Sequence, residues 1–441
     1  MSIEMITFMM LTILIGVIMM GFPIGFSLAG VATVFGIIFV GPQISNVFMM
    51  RMHVAFSDNT LIAIPLFIFM GIVIEKSGIA ARLFDAMYVM LGGLRGGLAM
   101  STVAASTIFA AATGVVGATV TTMGIIALPA MLKYKYDKPM ACGAICAGGA
   151  LGILIPPSIM ILVYAPTANV SVGALLIGAF LPGVILSALY LLYIGVVCFI
   201  RPEMGPAIHE DLRVPLAKKM QMLFSSVLPV CILILAVLGA IFFGVAAPTE
   251  AAAFGAFSAV ILAASYKKLN WQVIKDASFS TTKASAMVYM VFIGAAFFTS
   301  VFMRLGCGDI VEEMVLALPF GKWGVMIAMW TIIVIMGCFL DWIGIVMIVV
   351  PLFSPIALKL GFDPIWFALM NIIVLQTSFL TPPFAYTIFY LKGVAPPEIT
   401  LNHIYKGVVP FIMLMLLAVA IFAIFPDILL WAPRAAGLAS G

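Results

Sequence analysis

Residues 152–164 read GILIPPSIMILVY, and residues 378–390 read SFLTPPFAYTIFY. Each lies in a long apolar run, and each is interrupted by two adjacent prolines, Pro156-Pro157 and Pro382-Pro383. A proline pair removes two N–H donors and frees carbonyls in the preceding turn. The pairs stand 226 residues apart in a chain of 441, about half its length. Matching interruptions half a chain apart predict a structure built twice, with a broken helix in each copy.

Composition sets the class. The chain is 65% hydrophobic and 9% charged, with a mean hydropathy of +1.28. Soluble domains carry about 45–50% apolar and about 25% charged residues. Apolar segments of roughly 20 residues recur from end to end, each able to cross a ~30 Å hydrocarbon layer. This is an all-α polytopic membrane protein embedded in a lipid bilayer, with no room for a sizeable soluble domain. The start, MSIEM, has an acid where a signal peptide needs a basic region, so the first helix is read as retained. The net charge of +4 does not point to nucleic acid. The six cysteines lie mostly within apolar helices and lack the histidine or carboxylate company of a metal site. No nucleophile–base pair and no phosphate loop occurs, which argues against an enzyme, and no cofactor is expected.

Hydropathy divides the chain into two halves. The first, 1–200, holds three helices (near 5–20, 22–40 and 60–77), a helical pair within 96–132, a proline-broken helix at 139–168 and a last helix. A polar linker follows at 201–225. The second half, 226–425, repeats the order, with a pair at 322–358 and a broken helix at 364–395, and a tail closes the chain at 426–441. Short loops rich in Lys and Arg mark the cytoplasmic side. If each pair is a re-entrant hairpin, 16 of the 21 basic residues, from Lys76 and Arg82 to Lys392 and Lys406, fall on one face. The other face keeps Arg51, Arg304, Lys322, Lys359 and Arg434. That sorting predicts two re-entrant hairpins, both termini and the tail on the periplasmic side, a cytoplasmic linker, and halves of inverted orientation.

Inverted repeats with helices broken at mid-membrane are a device of secondary transporters, which bind substrate there. Freed carbonyls are tolerable in a membrane where they line a cavity or bind a cation. The hairpin tips carry the matching signal: AAATGVVGATVTTMG at 110–124 and MGCFLDWIGIVMIV at 336–349, again offset by 226. Half-helix N-termini suit an organic carboxylate or sulfonate. Carbonyls and hydroxyls suit a hard cation such as sodium. The candidate sodium ligands are Thr113, Gly114, Gly117, Gly152 and Pro156 in the first half, and Gly337, Asp341, Thr377, Ser378 and Thr381 in the second. The candidate substrate contacts are Thr119, Pro157, Ser158, Arg304, Pro383 and Phe384. Arg304 is chosen because a guanidinium fork can hold a carboxylate bidentately.

A proton carrier needs a titratable group in the pathway. Asp341 is the one acid near a predicted midplane element and has no counterpart in the first tip, so sodium is the expected coupling ion. Asp341 then serves as a ligand or as a cap on the helix after it. Glu250, at a helix start in APTEAAA, is expected to be structural.

The stretches IPLFIFMG (64–71), GALGILIPPS (149–158), GAFLPG (178–183), APTEAAA (247–253), FLD (339–341) and TPPF (381–384) run in order across nearly the whole chain. Together they resemble the large membrane subunit of tripartite ATP-independent periplasmic (TRAP) transporters, within the ion-transporter superfamily. The resemblance implies an elevator-type carrier in the bacterial inner membrane, coupled to sodium. It also implies a small four-helix membrane subunit and a periplasmic substrate-binding protein as partners. The first tip, Thr113-Gly114-Val115-Val116, departs from the family's more usual Ser-Gly-Ser-Ser. Organic anions are the substrates so implied, the aromatic-rich second break suggesting monocarboxylates or 2-oxo acids. Two other readings are a stand-alone carrier of the same superfamily, sodium- or proton-coupled, and a non-transporting membrane scaffold.

Overall fold

The computed structural model describes the chain except residues 208–214, 318, 320, 339, 383–384 and 439–441, and every regular element among the described residues is helical. The first half runs α1 (Ile3–Met19), α2 (Ile24–Phe39), α3 (Ile44–Ser57), α4 (Ala63–Lys76) and α5 (Ile79–Leu91). It continues through α6 (Gly97–Thr113), α7 (Val116–Lys133), α8 (Lys138–Ala150), α9 (Ile159–Ala168) and α10 (Val172–Ile200). The second half runs α11 (Leu216–Met222), α12 (Leu228–Phe242), α13 (Pro248–Ser265), α14 (Trp271–Arg304) and α15 (Cys307–Leu316). It ends with α16 (Gly321–Gly337), α17 (Trp342–Lys359), α18 (Pro364–Ser378), α19 (Tyr386–Val394), α20 (Leu401–Ile424) and α21 (Asp427–Ala435). Among the described residues eight helices are long and apolar enough to cross a membrane.

The 226-residue offset holds for the second arm of each hairpin and for the broken helices, and to within about three residues elsewhere. Added to the bounds of α7, it gives those of α17; added to the start of α8 and the end of α9, it gives the start of α18 and the end of α19. Each half thus has one helical hairpin, α6–α7 or α16–α17, and one broken helix, α8–α9 or α18–α19. The halves interlock through equivalent contacts: α2 packs on α14 as α13 does on α4, and α7 on α19 as α17 does on α9.

One difference between the halves has a local cause. A 3₁₀ turn at Asn59–Ile62 separates α3 from α4, whereas the equivalent segments form one 34-residue helix in α14. Asp58 caps that turn, accepting from the Thr60 N–H at 2.8 Å and from the Thr60 hydroxyl. Pro65 lies in the first turn of α4, where its missing N–H is harmless. Their counterparts in the second half are Ala284 and Val291, which neither cap nor break, so the helix continues.

Three helices, α3, α5 and α15, stand where sequence reading placed connecting loops. They have 14, 13 and 10 residues and carry charges (Arg51; Arg82 and Asp85; Asp309, Glu312 and Glu313), too short and too polar to register as spans. Helix also begins at Leu216, inside the expected linker, and α21 occupies the expected tail, packed on α10 with Arg434 bonded to Asp427 at 2.8 Å.

Glu250 sits at the third position of α13, and its carboxylate accepts the Ala247 N–H at 2.8 Å. It satisfies one of the donors a helix start leaves open. Glu250→Ala is expected to lower the thermal midpoint by about 2 °C while leaving sodium dependence unchanged. A sodium titration of transport by a normally folded variant checks this; a shifted half-saturation would make Glu250 functional instead.

Candidate functional site

The interrupted helices converge. The first hairpin turns at Gly114, whose φ of +64° is left-handed and suits glycine. A Cβ there would lie 2.5 Å from the carbonyl oxygen of Pro157, so the tip of one repeat element rests directly on the first break. The second tip does the same: a Cβ on Gly337 would meet Ser378 Cβ at 2.2 Å. Glycine is required at both points because backbone approaches backbone or a short side chain with no room between.

A cavity of about 120 Å³ lies where these tips and breaks meet. Its lining includes Val116, Ile159, Trp342 and Tyr386, the first residues of α7, α9, α17 and α19. Four helix N-termini therefore open onto one small space. The first N–H groups of a helix have no partner within it, and the peptide dipoles place partial positive charge there. In α7, α9 and α19 no side chain caps those groups, although in α19 the Thr387 N–H is taken by the Phe379 carbonyl at 3.3 Å. In α17 the cap is Asp341, which accepts the Ile343 N–H at 3.4 Å and also lines the cavity. Asp341 occupies the place that Val115 holds in the first repeat, so one carboxylate breaks the symmetry of the site.

The breaks supply acceptors as well. Among the described residues no backbone N–H bonds to the carbonyls of residues 154–157 or 380–382. The hydroxyls beside them donate inward along their own segments: Thr113 to Phe109 O at 3.0 Å, Thr377 to Val374 O at 2.7 Å, Ser378 to Leu375 O at 2.6 Å, Thr381 to Thr377 O at 2.8 Å, and Ser158 to Ile153 O. A hydroxyl whose proton is so committed offers only lone pairs outward. The arrangement combines bare N–H groups for an anion with carbonyl and hydroxyl oxygens for a cation. A buried chain from Trp330 Nε1 to Asn371 Oδ1 (3.1 Å) and from Asn371 Nδ2 to the Tyr164 hydroxyl (2.9 Å) ties α16, α18 and α9 together behind it.

A second cavity of about 440 Å³ shares Val115, Ile159, Asp341, Trp342 and Tyr390 with the first and extends along α4 and α14 to Glu75 and Lys76. The tip site thus communicates with the Lys76 end of the molecule.

Of the residues singled out from sequence, Thr113, Gly114, Gly117, Gly152, Pro156, Pro157 and Ser158 lie at the first tip and break, with Thr119 fully buried one turn into α7. Gly337, Asp341, Thr377, Ser378 and Thr381 lie at the second. Pro383 and Phe384 fall outside the described residues. Arg304 is elsewhere: it lines a separate cavity of about 530 Å³ with Arg51, and that cavity and the tip cavity have no lining residue in common. Its place at the end of α14, several turns beyond Met287 and Val288, removes it from the tips. Sequence reading missed Trp342, Tyr386 and Tyr390 as walls of the site. Their signal was the aromatic density after each interruption, but nothing local separates a cavity wall from a packed core.

Comparison with known proteins gives a consistent picture. Residues 11–428 match the family model of the tripartite ATP-independent periplasmic transporter, DctM component. The chain is 31% identical over 381 residues to the C4-dicarboxylate TRAP transporter large permease protein DctM of Pseudomonas aeruginosa, covering 86% of this chain and 87% of that one. It is 30% identical to the isethionate TRAP transporter permease protein DctMQ of Oleidesulfovibrio alaskensis, over 83% of this chain and 57% of that longer protein. Among solved structures, the YdaH transporter of Alcanivorax borkumensis superposes with a TM-score of 0.58 at 14% identity, covering 92% of this chain and 90% of the other.

Proposed function

The chain belongs to the DctM-component family of tripartite ATP-independent periplasmic transporters, and we propose that it carries a small organic anion inward across the inner membrane, coupled to sodium. It is a multi-pass membrane transport protein. The observation that carries it is the convergence of four helix N-termini, three without a side-chain cap, on one cavity beside Asp341. Such a space favours a carboxylate or sulfonate. The two relatives named above transport, by their names, a C4-dicarboxylate and isethionate, a sulfonate.

Sodium coupling is supported by the oxygen ligands at both breaks and by the negative charge of Asp341. A carboxylate in an anion site opposes substrate unless a cation sits beside it. A sodium ion between them links the two binding events, because each lowers the cost of the other. We place the Lys76 end in the cytoplasm and both termini in the periplasm, on the distribution of basic loops. The 440 Å³ cavity between the tips and Glu75 then corresponds to an inward-facing state. A small membrane subunit and a periplasmic binding protein complete the proposed machine.

Ala118 lines that cavity and is partly accessible. In a chain with Cys231 and Cys338 replaced, Ala118→Cys should react with a membrane-impermeant thiol reagent in inside-out vesicles. Sodium together with a transported acid should slow the reaction. Labelling only from the periplasmic side would reverse the orientation, and labelling indifferent to sodium and acid would contradict the site.

A further inference from the structure

We infer that the cavity holding Arg51 and Arg304 is a second, outer anion-binding site, an antechamber that concentrates carboxylates or sulfonates before they reach the hairpin tips. The outer label rests on the orientation proposed above; the charge argument does not.

The observation begins with symmetry. This 530 Å³ cavity is walled by α3, α14, α17 and the end of α9. The 440 Å³ cavity near Glu75 is walled by α4, by Ser280–Val288 in the middle of α14, by α7 and by α19, and is completed by Thr113, Ile159 and Asp341–Ile343. Four of these elements correspond under the 226-residue offset, while α6, α9 and the start of α17 line the Glu75 cavity without such a counterpart in the other. Two positions match residue for residue: Val54 and Asp58 in one cavity are the counterparts of Ser280 and Ala284 in the other. The repeat thus relates the two cavities in part, with different residues lining each.

Their charges differ in sign. The passage near Glu75 carries Glu75, Lys76 and Asp341, a formal sum of one positive and two negative charges. The other carries Arg51, Arg304 and Asp58, two positive and one negative. Asp58 already accepts from the Thr60 N–H and hydroxyl, which holds it in place as a cap. Among the described residues neither arginine forms an ion pair. Both are exposed, in a cavity whose lining also includes the half-buried Thr299 and Ser300.

Two guanidinium groups at one low-dielectric cleft raise the local concentration of anions, by about 10–10³ in favourable cases. Each can also hold a carboxylate or sulfonate through paired N–H donors, which an ammonium cannot do. The cavity near Glu75 instead sets a single lysine, Lys76, beside Glu75 and Asp341, so its lining offers no such pair.

The test uses probes of known charge, so it works before the substrate is identified. Thr299→Cys is introduced into the detergent-solubilised, otherwise unreactive chain. Its modification rate is measured with 2-sulfonatoethyl and with 2-trimethylammonioethyl methanethiosulfonate. The anionic reagent should be favoured, and Arg51→Gln with Arg304→Gln should lower the anionic-to-cationic ratio about tenfold. Succinate should slow modification of the parent but not of the double variant. Arg304→Lys should keep the ratio and lose most of the succinate protection. An unchanged ratio in the double variant overturns the inference, as does failure of either reagent to reach Thr299→Cys. If the double variant is poorly folded, Arg304→Glu alone must shift the ratio towards the cationic reagent, and no shift again overturns it. None of these readouts requires transport, so loss of the sodium-coupling proposal would leave the result standing.

Discussion

Gly114→Ala is expected to reduce transport at least about 100-fold while the protein still folds. Two costs combine. At a φ of +64° a β-carbon strains the backbone by about 1–2 kcal/mol. The same carbon would lie 2.5 Å from Pro157 O, and that oxygen belongs to backbone that cannot swing aside. The tip must therefore withdraw from the break by about 1 Å, a misplacement that costs on the order of 100-fold where bound groups must align. Gly16→Ala is the control, because a Cβ there meets nothing within 4 Å. Uptake by both variants, with yield from size-exclusion chromatography, checks the expectation. Normal uptake by Gly114→Ala would mean that the first tip does not rest on the proline break during transport.

The second large effect is at Asp341. Its carboxylate caps α17 and lines both the tip cavity and the passage leading from it. Asparagine is as good an N-cap as aspartate, so Asp341→Asn should keep the hairpin folded while removing the one formal charge at the tips. If that charge helps hold sodium, the sodium concentration for half-maximal uptake should rise about tenfold or more, equivalent to about 1.4 kcal/mol. Maximal uptake at saturating sodium should fall less. An unchanged half-saturation would reduce Asp341 to a cap, leaving the carbonyls and hydroxyls of the breaks as the ion's only ligands.

The double construction of the molecule was legible in the sequence because its cause is local and covalent. Proline pairs such as 156–157 and 382–383 break helices, and the 226-residue spacing between them is that of α7 to α17 and of the α8–α9 unit to the α18–α19 unit. The tips were legible for the same reason, since Thr113-Gly114 and the Gly337–Asp341 stretch cannot continue a helix without strain or an early cap. The short helices α3, α5 and α15 were not legible. Their lengths and charges are those of loops, and their helicity depends on neighbours such as α14 and α6. Arg304 was picked for its guanidinium fork and its place after a helix end. That it belongs with Arg51, 253 positions away in the chain, follows only from the packing of α3 on α14. The convergence of four N-termini was half visible: each start could be read from its break, but not their common meeting point.

The claim at the centre is that an anion and sodium bind together where the tips and breaks meet. Uptake into proteoliposomes tests it most directly, with this chain, a small membrane subunit and a binding protein supplied, and a panel of radiolabelled carboxylates and sulfonates offered. An inward sodium gradient should drive accumulation of at least one acid above its outside concentration, and potassium should not replace sodium. Accumulation driven by a pH gradient alone, in the absence of sodium, would contradict it.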